Sequence, residues 1–166
     1  MNSNLAPLEF DPRAWTRLMA ELAKSGGGRR ESGAFLLGQH VHGVRRVMQW
    51  LHYATLDPHS QRFAYVRLGP QAFTQLWAKC AELGLEVMGD IHTHPGGPSQ
   101  SPSDRAHPMV SIPGHLALIA PRFAQGFVRT QDVSVNRYLG NGRWQSFHGD
   151  AAAAQIHLRE VIDERG

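Results

Sequence analysis

The sequence predicts an α/β fold: a single domain with a central mixed β-sheet flanked by helices. Two amphipathic helical stretches, 12–24 and 71–83, alternate with short strand-like runs. Several of those runs are apolar and bounded by glycine or turn residues, as buried strands are. The 166 residues, 42% hydrophobic and 19% charged, suit one domain (1–166) that buries its core without disulfides or repeats.

Taken in order, Pro12 to Lys24 is the first helix, with Trp15, Leu18, Met19 and Leu22 at helical spacing. Ser25-Gly26-Gly27-Gly28 stops it. Gly33 to Gly38 reads as a buried strand, Val44 to Leu56 as a longer one, and Arg62 to Arg67 as a third with period-two alternation. Gln71 to Leu83 is the clearest helix: Ala72, Phe73, Leu76, Trp77, Cys80 and Leu83 form one apolar stripe, and Gly84 ends it. Cys80 on that stripe is expected to be a packed thiol, not a nucleophile. Leu85 to Ile91 is a strand running directly into His92, and Pro95 to Ser103 is a turn-rich loop. His115 to Ala120, Gln131 to Tyr138 and Arg143 to Phe147 extend the sheet, and Ala151 to Glu164 is expected to close the chain as a helix.

Composition narrows the function classes. The 17 Lys and Arg against 14 Asp and Glu are scattered, with Arg29-Arg30 and Arg45-Arg46 the only basic pairs, so no nucleic-acid partner is expected. The N-terminal residues lack the basic and apolar regions of a signal peptide, and no apolar run approaches the ~20 residues that span a bilayer. The single cysteine cannot make an internal disulfide, and the expected location is the cytoplasm.

Ten histidines are the unusual feature. His92-Thr93-His94 places two imidazoles at i and i+2 on an extended stretch, on one face, where both can reach one ion. A catalytic zinc takes three protein ligands and keeps an open position. Asp104, at the end of the turn-rich loop, is the natural third ligand. Chance alone supplies about 0.6 His-x-His pairs at this histidine content, so the pair gains weight only from its setting. His40-Val41-His42, in what reads as a turn, is expected to be solvated.

His92-Thr93-His94-Pro95 followed by Ser101-Pro102-Ser103-Asp104 resembles the signature of the JAMM (MPN+, JAB-domain) zinc metallopeptidases. Glu31-Ser32-Gly33-Ala34-Phe35-Leu36-Leu37-Gly38 resembles that family's glutamate before a small-apolar strand. The resemblance spans Glu31 to about Pro121. It departs in one place: the family has seven residues between the second histidine and the serine, whereas His94 to Ser101 leaves six. The seven-residue spacing would put Pro102 and Arg105 in the serine and aspartate places, so the loop is read as one residue shorter. A cupin, a metallo-β-lactamase-like site and an amidohydrolase barrel fit less well, for want of a following glutamate, an Asp-His continuation and sufficient length respectively.

The resemblance implies an MPN/JAB-like, cytidine-deaminase-like architecture and one Zn2+ ion held by His92, His94 and Asp104. It implies Glu31 as the proton-transferring carboxylate and Ser101 as hydrogen-bond donor to the oxyanion. Read from the residues alone, Glu31 is a solvated charge after Arg29-Arg30, and the alternative for Ser101 is an ordinary turn or helix-capping serine. His107 and His115 are expected in turn or packing roles. The implied activity is that of an isopeptidase or processing peptidase acting at the C-terminus of a ubiquitin-like modifier. Its implied partners are E1-like and E2-like proteins, in systems some of which serve antiphage defence. The alternatives are a hydrolase of small peptide or amino-acid conjugates or sulfur-carrier tails, and a catalytically silent MPN scaffold.

Overall fold

The structure is a computed structural model and describes residues 3–60 and 68–160. In chain order its elements are β1 (Leu8–Phe10), α1 (Pro12–Gly26), β2 (Gly33–Val41), β3 (Val44–His52), α2 (Tyr53–Leu56), α3 (Pro70–Leu83), β4 (Glu86–Thr93), α4 (Pro102–Ala106), β5 (Leu116–Ala120), β6 (Ser134–Gly140), β7 (Arg143–Phe147), α5 (Asp150–Ala153) and β8 (Ile156–Leu158). The strands form one mixed sheet in the order β7-β6-β5-β4-β2-β3-β1-β8. β4 lies at its centre, antiparallel to β2 and parallel to β5.

Alternation along β2 divides the core between two faces. Ala34 and Leu36 pack with Leu18, Met19 and Leu22 of α1 and with Ile91 and Leu118. Phe35 and Leu37 pack with Tyr53 and with Leu76 and Cys80 of α3. A strand covered on both faces must be apolar at successive positions, which is why 33–38 reads as a continuous run. Each Leu or Phe buried this fully contributes roughly 1.5–3 kcal/mol.

Both long helices carry their own boundaries. Asp11 caps α1 through the Arg13 N–H at 2.8 Å, Pro12 follows at the first position, and left-handed Gly27 (φ 59°) closes it. Pro70 and left-handed Gly84 (φ 66°) bound α3 in the same way. The buried line of α3 is Ala72, Leu76 and Cys80. Trp77 is 47% exposed, because it lies one step round the helix from that line.

Three expectations change. The strand from Val44 stops at His52, and Tyr53–Leu56 turns as a helix that buries the Tyr53 ring edge-on against Phe35. The strand expected from Gln131 starts at Ser134, since Asp132 accepts the Arg129 N–H and holds Thr130–Asp132 in a tight turn. The closing helix is one turn, Asp150–Ala153, followed by β8 pairing in parallel with β1. Alanines offer such a helix almost no apolar stripe to bury, whereas Ile156 is buried from a strand. Leu8–Phe10, too short to show a period, is a strand as well. The strand expected at 62–67 lies outside the described residues. His40 and His42 are exposed, and His42 (φ 48°) and Gly43 (φ 81°) form the hairpin turn joining β2 to β3.

Candidate metal centre

β4 delivers His92 on the sheet face that carries α3, and the chain leaves the strand immediately afterwards to present His94. The His94 N–H donates to the Ala120 carbonyl at 2.9 Å, and the His94 carbonyl accepts the Phe123 N–H at 2.8 Å, so the second imidazole is anchored from β5. The residues providing that anchor, Arg122, Phe123 and Ala124, all have positive φ (53°, 53° and 59°). Left-handed backbone costs a side-chain-bearing residue roughly 1–2 kcal/mol, so the clasp holds its shape against local strain.

Glu31 arrives from the other side. Ser32 accepts the Thr93 N–H at 2.9 Å, donates its own N–H to Thr93 Oγ1 at 3.0 Å, and donates its hydroxyl to the Leu22 carbonyl. These bonds dock the segment ahead of β2 against β4 and leave Glu31 only 3% exposed. Gly33 makes the docking possible, because a Cβ there would stand 2.7 Å from the Ile91 carbonyl and run into the Tyr53 ring. Gly33→Ala is therefore expected to destabilise the protein by about 1–3 kcal/mol, a lowered Tm being the readout. An unchanged Tm would mean that β2 and β4 are less closely apposed than described.

The six-residue loop brings Asp104 to the histidines. Ser101 caps α4 by accepting the Asp104 N–H at 3.1 Å, and Asp104 Oδ2 accepts the Ser101 N–H at 2.7 Å. This reciprocal cap, with Pro102 at the first helical position, aims the carboxylate back over the loop. Trp144 Nε1 donates to the Arg105 carbonyl at 3.0 Å and Ser134 Oγ donates to the Pro98 carbonyl, so β7 and β6 tie the loop down. Asp104 Oδ1 lies 3.2 Å from His92 Nε2, and Oδ2 lies 3.0 Å from His94 Nε2. The two Nε2 atoms are 3.1 Å apart. Donors bound tetrahedrally at ~2.0–2.1 Å stand about 3.3 Å from one another, so these three groups fit one small cation. Glu31 Oε1 is 3.9 Å from His94 Nε2, set back from the three, although its oxygen and the two imidazole nitrogens all lie within 4.8 Å of one another. Glu31, His92 and His94 can hold a metal ion, and the Asp104 carboxylate stands within 3.2 Å of both imidazoles.

Electrostatics separate the two carboxylates. Burial pushes Glu31 up to about 7; the charges of His92 and His94 counter it and that of Asp104 adds to it. Burial also acts to raise Asp104, but hydrogen bonds from His92 and His94, with the Ser101 N–H, hold it far below the usual carboxylate range. Burial lowers His92 while Asp104 opposes that more strongly, so the net direction is upward. One carboxyl is thus fixed as an anion, and the other is poised to gain or lose a proton near neutrality.

Ser101 is a capping residue, and accepting a backbone N–H leaves its own hydroxyl proton free to be donated. Ser103 is exposed, and His107 is the C-cap of α4. His115 closes a turn, its N–H donating to the Ile112 carbonyl at 3.0 Å, and its buried ring has a polar partner as well, with Nε2 2.6 Å from Asp90 Oδ2. The sequence reading passed over Asp90. The available signal was its place two residues before His92 on a strand, which puts both side chains on one face. Together with Ala117, Ile119 and Met109 they line a small recess of about 60 Å³ beside Asp104.

The mixed α/β sheet thus carries two strand-end histidines, a loop aspartate and a recessed glutamate in one cluster that can hold a metal ion. A family model described as prokaryotic homologs of the JAB domain matches residues 12–132, and the chain belongs to that family. The JAB domain family includes metallopeptidases. The fold is similar to two proteins solved in solution. One, from Desulfitobacterium hafniense, is 14% identical with a TM-score of 0.69, the match covering 95% of this chain and 97% of the other. The second, from Salinibacter ruber, is 21% identical with a TM-score of 0.59, covering 94% and 93%. Among the described residues no helix is long and apolar enough to cross a membrane.

Proposed function

We propose that this chain is a zinc-dependent isopeptidase or processing peptidase that hydrolyses the amide bond at the C-terminus of a ubiquitin-like modifier. The observation that carries the reading is the approach of Asp104 to within 3.2 Å of both imidazoles while Glu31 stays 3.9 Å back. His92, His94 and Asp104 would hold the ion, leaving a position open. When bound, zinc supplies Lewis acidity, which acidifies water and polarises a carbonyl.

The residues divide the remaining work. Glu31 Oε1 takes the proton of the attacking water and later gives it to the departing amine nitrogen, a transfer that suits a carboxyl near pKa 7. The Ser101 hydroxyl donates to the oxygen that becomes negative as the carbonyl turns tetrahedral. The recess beside His92 is small, about 60 Å³, which favours a tail ending in small residues. E1-like and E2-like partners and a cytoplasmic location accompany this reading. A silent scaffold has less support, because every donor position is filled.

The test is incubation of the metal-loaded protein with a fused ubiquitin-like precursor, with and without chelator. Cleavage at the tail junction is expected, lost on chelation and restored by zinc; cleavage that persists in chelator would sink the proposal. In the same assay Ser101→Ala is expected to lower kcat roughly 100-fold with little change in KM, since its hydrogen bond strengthens in the transition state. Ser103→Ala, at an exposed position, is expected to be nearly silent.

A further inference from the structure

A larger cleft, of about 340 Å³, opens at the opposite end of β4 from the metal centre. Trp77 and Cys80 of α3, Glu86 and Val87 at the start of β4, and the 110–115 segment form its walls, and Arg45 of β3 contributes a guanidinium. Its volume lies within the range of small-molecule sites, and most of its walls are apolar.

Arg45 is the anomaly. It is 5% exposed, and the partners it has among the described residues are backbone carbonyls: Met88 at 3.3 Å, Asn4 at 3.0 Å and Gly114 at 2.8 Å. A guanidinium has five N–H donors, so three bonds leave capacity, and Nε is buried without a partner. Among the described residues no carboxylate is bonded to it, although buried charges are ordinarily paired. Burial and the neighbouring charge of Arg137 lower its pKa to about 10, which still leaves it a cation at neutral pH. The buried Asp90, which lies outside the cleft wall, is engaged with His115. Glu86 is exposed at the rim, where water screens its charge.

We infer that this cleft is a binding site for a small carboxylate with an apolar body, its anion set against Arg45 and its chain among Val87, Val110, Ile112 and Trp77. Such a molecule neutralises the unpaired cation and covers apolar wall in one step, whereas inorganic phosphate would do only the first. The inference does not depend on the metal centre. It does bear on it, because residues 107–109 wall the recess beside His92 and the next residues, 110–115, wall the cleft.

The test is a titration of the full chain with hexanoate and, separately, with hexanol, followed by backbone amide shifts and calorimetry. Hexanoate is expected to bind at least about tenfold more tightly than hexanol, a charge-assisted bond being the difference. The shifts should centre on Glu86, Val87, Gly114 and His115. Arg45→Met should abolish the preference; should it fail to fold, Trp77→Glu at a half-exposed position removes apolar wall for both probes but adds a charge that repels only hexanoate, so hexanoate should lose at least about tenfold more affinity than hexanol. Equal affinity for the two probes, no measurable hexanoate binding, or shifts confined to His92, His94 and Asp104 would each overturn the assignment.

Discussion

Replacing His92 and His94 together with alanine is expected to strip the metal and to reduce peptidase turnover at least about a thousandfold. Polarisation by the ion is worth several kcal/mol of transition-state stabilisation, and each 1.36 kcal/mol is a factor of about ten. With both imidazoles gone, Asp104 and the set-back Glu31 are the carboxylates left, and two carboxylates without an imidazole hold zinc poorly against water. The fold should survive. His92 and His94 sit at and beyond the end of β4, and the hydrogen bonds there that join β4 to β5 are backbone bonds an alanine still makes. Metal analysis of the purified variant, circular dichroism and the precursor assay together decide the matter. A well-folded double mutant that keeps one equivalent of zinc would falsify the ligand assignment.

Glu31→Gln separates binding from chemistry. The set-back position of Glu31 predicts that the variant keeps its metal, while the loss of a proton acceptor lowers kcat roughly 100- to 10,000-fold. Burial adds a second, independent readout in chelated protein. A carboxyl whose folded pKa is raised from 4.5 to about 7 binds more protons folded than unfolded between those values. Stability contributed at this position is therefore lost as pH rises through that window. The neutral amide has no such dependence, so Glu31→Gln should melt no lower than the parent at pH 7 and above, and its Tm should be flatter from pH 4.5 to 7. A glutamate that remained solvated would show neither effect.

Those two outcomes rest on features that were unequally legible. The helices were readable because their caps and glycine stops are local, as at Asp11-Pro12 and Gly84. The central strands were readable because two-sided burial writes an uninterrupted apolar run. His92 and His94 needed only the period of a strand. Glu31 was different: nothing local marks it as buried, and what buries it is Thr93, 61 positions away, bonding to Ser32. The Asp90–His115 pair and the three carbonyls around Arg45 are likewise contacts between distant segments, which no window of sequence contains. Helical pattern misled at the C-terminal end, where alanine propensity suggested a helix and the open edge of β1 won a strand.

That last pairing also sets the order in which the molecule can assemble. The β2–β3 hairpin turns on two residues and can close in microseconds. β8 must instead find β1, Ile156 lying beside Leu8, after nearly the whole chain has been laid down between them. Three-residue strands repay little of that loop-closure entropy, so their docking is expected to come last and to be reversible at low cost. Until then the edge of β1 stands open to any extended segment nearby, including one from another molecule. Refolding at high concentration is where such an edge is most exposed to the wrong partner.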